Sequence, residues 1–189
     1  MPIYNDNRKL LSSPQIRELI TKRFAEMIEE SGTNFDIIAG TTDHGGRVMD
    51  DIRKVLDNHR MWLAGLGGEC ADLSGTHLSN TNLSDTDLIG ADLRGINLSH
   101  ANLIGAHLSH ANLIGANLSN VHLSDANLIG ANLSNANLSG ADLRGAILYG
   151  TNLSGTNLRG ANLSDVNLRG TIIDHTTIGL TMACPERGI

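Results

Sequence analysis

The chain is 189 residues long and carries 14 Lys and Arg against 20 Asp and Glu, a formal net charge of −6. That balance leaves no broad basic surface for nucleic acid, and aromatic residues, at 3%, are too few to build a base-stacking platform. No early segment combines the charged start and apolar run of a signal peptide, and no stretch approaches the roughly 18 apolar residues of a membrane span, so the expected location is cytoplasmic with no membrane partner.

Residues 1–70 read as an α-helical N-terminal region. Ser13-Pro14 is a good helix start, with Pro at the first helical position, and Ile16, Ile20, Phe24 and Ile28 follow at helical spacing. The loop from Gly40 to Arg47 has two glycines five apart, as a phosphate-binding loop does. It lacks the Lys and the Ser/Thr that would hold phosphate and Mg²⁺, and it reads as a loop leading into a helix. A second amphipathic run carries Val48, Ile52, Val55, Leu56, His59, Trp62 and Leu63, and Gly65-Leu66-Gly67-Gly68 ends it.

From Ala71 to Gly170 the chain keeps a beat of five: twenty consecutive pentapeptides with leucine at every centre, Leu73 to Leu168. Two further units follow with isoleucine, centred on Ile173 and Ile178. On an α-helix a step of five residues turns about 500°, which spreads the leucines around the whole cylinder. In a continuous strand an odd period sends successive leucines to opposite faces. Within one unit, however, the centre and the small or β-branched residue two before it share a side of an extended segment. A turn after each unit then lets the next pair point inward as well. The fifth position is Gly in twelve units and Asn80, Asp85, His100, His110, Asn120, Asp125, Asn135 or Asp165 in the other eight. These residue types best tolerate a left-handed backbone, so a corner is expected at every fifth residue. Such a chain coils around a leucine-lined axis, and neighbouring coils pair as parallel strands about 4.8 Å apart.

Units such as Ala91-Asp92-Leu93-Arg94-Gly95 and Ala161-Asn162-Leu163-Ser164-Asp165 resemble the A-(D/N)-L-x-x motif of the pentapeptide-repeat family. The resemblance implies a mainly β fold, a right-handed quadrilateral β-helix (a parallel solenoid) with four units per coil. It would have about five to six coils over residues 71–180 and a core that includes Leu73, Leu93, Leu113, Leu133 and Leu153. A prism of that kind is about 25 Å long. Cys70 and Cys184 would then lie at opposite ends, far outside the reach of about 7 Å for a disulfide.

Both ends of a repeat stack need cover. The second helix is expected to serve as an N-terminal cap, with Trp62 and Leu63 against the first coil; the stretch His59-Arg60-Met61-Trp62-Leu63 resembles the lead-in of many family members. A separate partner-binding module in residues 1–70 is the competing expectation. Past Gly170 the outward positions turn apolar at Ile172, Leu180 and Met182. This suits a closing cap or, as the resemblance implies for some members, a homodimer through the C-terminal end. The tail 181–189 stops abruptly for such an element, which predicts a longer natural chain.

No convergent chemistry is legible. With four units per coil, residues twenty apart stack, placing Asp87 beneath His107 and His122 beneath Asp142. Each pair stands on a convex wall without a third polar group, whereas catalysis wants a concave pocket. No catalytic, metal-binding or cofactor-binding residue is therefore assigned, and a non-catalytic scaffold for an unidentified protein partner is expected, without direct nucleic-acid contact. The expected docking wall is an outward column of Ile89, Ser109, Ile129, Tyr149 and Arg169, with exposed Ile104 and Ile114 on the neighbouring walls. A branch of the family resembles duplex DNA and binds DNA gyrase, conferring quinolone tolerance. That alternative fits poorly, because eight aspartates and four arginines between Ala71 and Leu180 fall far below one charge per about 1.7 Å of duplex.

Overall fold

A computed structural model describes residues 46–180. The helix expected from Ser13, the loop before Gly46 and the tail with Met182 and Cys184 lie outside the described residues. Of the expected helical region, one helix, α1, is described at Gly46–Leu63. Its buried residues Ile52, Leu56 and His59 follow one another at steps of four and three, a single stripe. Ile52 and Leu56 join the same apolar cluster as Leu73 and Leu78, so the helix and the coils share one core. The helix stops on a glycine for a geometric reason. Gly65 takes φ 67°, its N–H reaches the Trp62 carbonyl at 3.0 Å, and the Leu66 N–H reaches the Met61 carbonyl at 2.9 Å. These are the two bonds of a Schellman cap.

From Ala71 onward the backbone winds as a β-helix solenoid. Parallel bridges join residues twenty apart, from Asp72 with Asp92 to Asn152 with Ile172, so four pentapeptides complete one turn. The rungs are single bridges, because each extended segment is only long enough to place one small residue and one leucine inside. The column Leu73, Leu93, Leu113, Leu133, Leu153 is buried throughout, as are Ala91, Ala111 and Ala131 beside it. Inward threonines satisfy their hydroxyls on the chain: Thr151 Oγ1 donates to the Leu128 carbonyl at 2.7 Å and Thr156 Oγ1 to the Leu133 carbonyl at 2.8 Å. Burying a polar group in this way costs little.

Every corner is left-handed. All twenty fifth positions, from Gly75 to Gly170, have φ between 54° (Asn120) and 78° (Gly170). Each turn is closed by a bond such as Thr76 N–H to the Leu73 carbonyl at 3.2 Å. With positive φ only at the third turn residue, this is the requirement of a type II turn. Most of the Asn and Asp residues that precede a centre have a second task that composition alone does not reveal. Their Oδ1 accepts the N–H two residues on, as in Ser84 to Asn82 at 3.0 Å and Ser134 to Asn132 at 3.1 Å. The outward amide thus holds the corner shut.

The beat of five breaks after Gly170. Asn157 bridges Ile178, twenty-one residues on, so Ile178 takes an outward rung position and is not a unit centre as the spacing predicts. The extra residue fits because Asp174 Oδ1 accepts three backbone N–H groups, from Thr176 at 2.9 Å and from Thr177 and Gly155 at 3.2 Å. A carboxylate that gathers three donors stabilises a wider corner. The same bonds hold the Asp174 carboxyl down at about 2, with the Thr176 hydroxyl the largest influence.

Candidate interaction wall and cap junction

Residues at the same place in successive coils form columns on the outside. One wall carries two of them: Asp87, His107, Asn127, Ile147 and Asn167 at the rungs, and Ile89, Ser109, Ile129, Tyr149 and Arg169 just before the corners. Ile89 and Ile129 are half-buried, whereas Ile147 is 49% and Tyr149 63% exposed. The Tyr149 ring lies over Gly170, where an added Cβ would sit 2.9 Å from it. Gly170 therefore serves the corner and the seating of the ring together. Around Ile147, Tyr149, Asp165, Asn167 and Arg169 is a shallow depression of about 180 Å³. This is below the range of about 300–1,000 Å³ that encloses a small ligand. Ile147 belongs to this apolar surface although the column read from the sequence omits it. Its signal was present, an isoleucine at a position that the other leucine-centred units fill with Asn, Asp or His. Ile104 stands exposed on a neighbouring wall, as does Ile114.

The stacked His–Asp pairs part company in three dimensions. Asp87 and His107 meet at 2.6 Å. His122 and Asp142 share a rung, but the Asp142 carboxylate turns to Arg144, whose guanidinium grips both oxygens at 2.6–3.1 Å. That grip holds the Asp142 carboxyl at about 2. Asp92 is held by Arg94 in the same way and is likewise lowered. These are exposed, solvated pairs on flat walls. Among the described residues no group of three His, Cys, Asp or Glu side chains is placed to hold a metal ion.

At the other end of the rod, His59 is fully buried and its Nδ1 accepts the Ala71 N–H at 3.0 Å. Trp62 stacks on the His59 ring, with centroids 5.6 Å apart and planes 16° from parallel, and stays 44% exposed. Its edge lies 3.9 Å from where a Cβ on Gly90 would be, and Leu63 is half-buried. Trp62, expected against the first coil, is joined at the junction by His59, which is the residue fully buried there. Burial lowers the His59 pKa, against weaker pulls upward from the Asp87 carboxylate and the Ile89 carbonyl. Next to it, Cys70 Sγ donates to the Gly90 carbonyl at 3.3 Å and burial raises the thiol's pKa, which disfavours a reactive thiolate. No helix among the described residues is long and apolar enough to cross a membrane.

The family model for pentapeptide repeats matches residues 69–103, 101–140 and 136–174, in eight copies. Among solved structures, the chain resembles Rfr23, a pentapeptide repeat protein from the cyanobacterium Cyanothece 51142, at 33% identity. The match covers 64% of this chain and 95% of that one, with a TM-score of 0.38. It also resembles a pentapeptide repeat protein from the Arabidopsis thaliana thylakoid lumen at 40% identity over 52% of this chain and 68% of that one, TM-score 0.42. Among curated proteins, an orotate phosphoribosyltransferase from Coxiella burnetii is 46% identical over 44 residues, 23% of this chain. The chain spans about a fifth of that relative's length, 21%.

Proposed function

This chain belongs to the pentapeptide-repeat family, and on that premise we propose that it is a non-catalytic rod that docks a protein partner on one wall. The rod is a right-handed quadrilateral β-helix of about five to six coils, spanning residues 71–180, with α1 as its cap. The observation that carries this reading is the pair Ile147 and Tyr149, exposed side by side above half-buried Ile129 and beside Arg169. Apolar and aromatic groups on a rigid flat surface lose little entropy on binding and suit a protein interface. The leucine-filled interior leaves no room for substrate.

The test is affinity capture from native lysate with the full chain and with an Ile129→Ser/Tyr149→Ser variant as parallel baits. Loss of a partner from the variant alone supports the wall; equal recovery by both baits excludes it. A gyrase supercoiling assay addresses the DNA-mimic alternative, since inhibition at micromolar protein would replace the present reading. Against mimicry, Arg94 and Arg144 each cover one of the few carboxylates on the rod.

A further inference from the structure

We propose that His59 is a proton-operated latch, which holds α1 on the first coil while neutral and releases it when protonated. Because the Ala71 N–H donates to Nδ1 at 3.0 Å, Nδ1 bears the lone pair and the imidazole proton sits on Nε2. Among the described residues Nε2 is buried with no well-aligned hydrogen-bond partner, although the Ile89 backbone carbonyl exerts a weak pull toward the protonated ring. A second proton has only Nδ1 to go to, and there it would face the Ala71 amide donor head-on. The protonated ring and the closed junction are therefore incompatible.

The position of this bond makes it consequential. Ala71 opens the first coil and is itself buried, and His59 is the C-terminal member of the α1 stripe whose other members, Ile52 and Leu56, pack on the same core. Releasing His59 removes the polar anchor of that packing and uncovers the end of the stack around Leu73 and Leu78. Charged groups face the junction from both the rod and the helix. On the rod, the Asp87 carboxylate pulls a proton toward the ring, while His107 meets that carboxylate at 2.6 Å. On the helix, Arg60 is the neighbouring cation, itself influenced by Asp57 and Asp87. The Cys70 thiol beside Ala71 is occupied by the Gly90 carbonyl. Burial outweighs these pulls and lowers the His59 pKa, so the unfolded chain takes up protons first as pH falls. The latch's contribution is present in full above the ordinary histidine value of about 6.5 and is lost as pH falls through the lowered one.

Trp62 is the chain's single tryptophan and stacks on the latch ring, so its fluorescence reads the junction directly. The experiment titrates the full chain from neutral to mildly acidic pH, following Trp62 emission and amide hydrogen exchange of the segment containing Ala71, corrected for intrinsic rates. Wild type is expected to lose about tenfold or more in protection at Ala71, together with a change in Trp62 emission. His59→Gln, whose amide oxygen accepts the Ala71 N–H and does not titrate, keeps both signals flat. His107→Gln keeps the wild-type response. A flat wild-type profile, or an unchanged response in His59→Gln with its β-type circular dichroism intact, overturns the latch. If His59→Gln loses that circular dichroism, the wild-type and His107→Gln profiles decide. Loss of the transition in His107→Gln assigns it to His107 and overturns the proposal.

Discussion

Replacing Gly115 with Ala tests the corner geometry on which the solenoid depends. Gly115 has φ 66°, and a Cβ built there meets nothing within 4 Å. The substitution therefore brings no steric clash, only the cost of holding an L-residue in the left-handed region, about 1–2 kcal/mol. Gly145 has φ 67° as well, but its added Cβ would lie 2.5 Å from Asp125 Oδ1. Gly145→Ala should thus cost more than Gly115→Ala by whatever it takes to rotate that carboxylate away. In an Asp125→Gly background the surplus should vanish, leaving the same 1–2 kcal/mol or so. The assay is guanidinium unfolding followed by circular dichroism, with midpoints compared at constant slope. The sign is decisive. In a backbone that tolerates alanine, Gly→Ala stabilises by about 0.4–1 kcal/mol through the unfolded chain. A higher midpoint for Gly115→Ala would refute the left-handed corner and with it the closure of the coils.

Leu123 is wholly buried in mid-rod, so Leu123→Ala should cost about 3–5 kcal/mol in the same unfolding experiment, and a loss under about 1 kcal/mol would contradict a close-packed leucine column. The Asp142 carboxyl, held at about 2 chiefly by Arg144, adds stability above the ordinary carboxylate range that disappears as pH falls through that value. Arg144→Gln should move the Asp142 titration, followed by carboxyl NMR, up toward the usual value of about 3.9. An unmoved midpoint would mean the guanidinium grip is absent in solution.

Neither the carboxylate that Arg144 captures nor the latch at His59 is legible in the chain as written. The corner at every fifth residue is, because the left-handed backbone excludes most side chains whatever surrounds them. Gly, Asn, Asp and His at those positions announce it residue by residue, and all twenty carry positive φ. The inward pairing of a small residue with leucine follows equally from two-residue alternation along a short extended segment.

What stacks on what is a different kind of fact. Asp142 had a histidine one coil below and an arginine two residues ahead, and the bidentate reach of the guanidinium decided between them. Asp174 widened the last corner by gathering three N–H groups, one from Gly155 in the preceding coil, and so pushed Ile178 out of step. Helical spacing marks His59 and Trp62 alike as members of an amphipathic stripe. Only the approach of Ala71 buries one of them and leaves the other outside. Backbone sterics act within a residue and its turn, so the sequence carries them openly. Contacts between coils depend on where closure brings distant side chains, and that is settled only when the chain has wound upon itself.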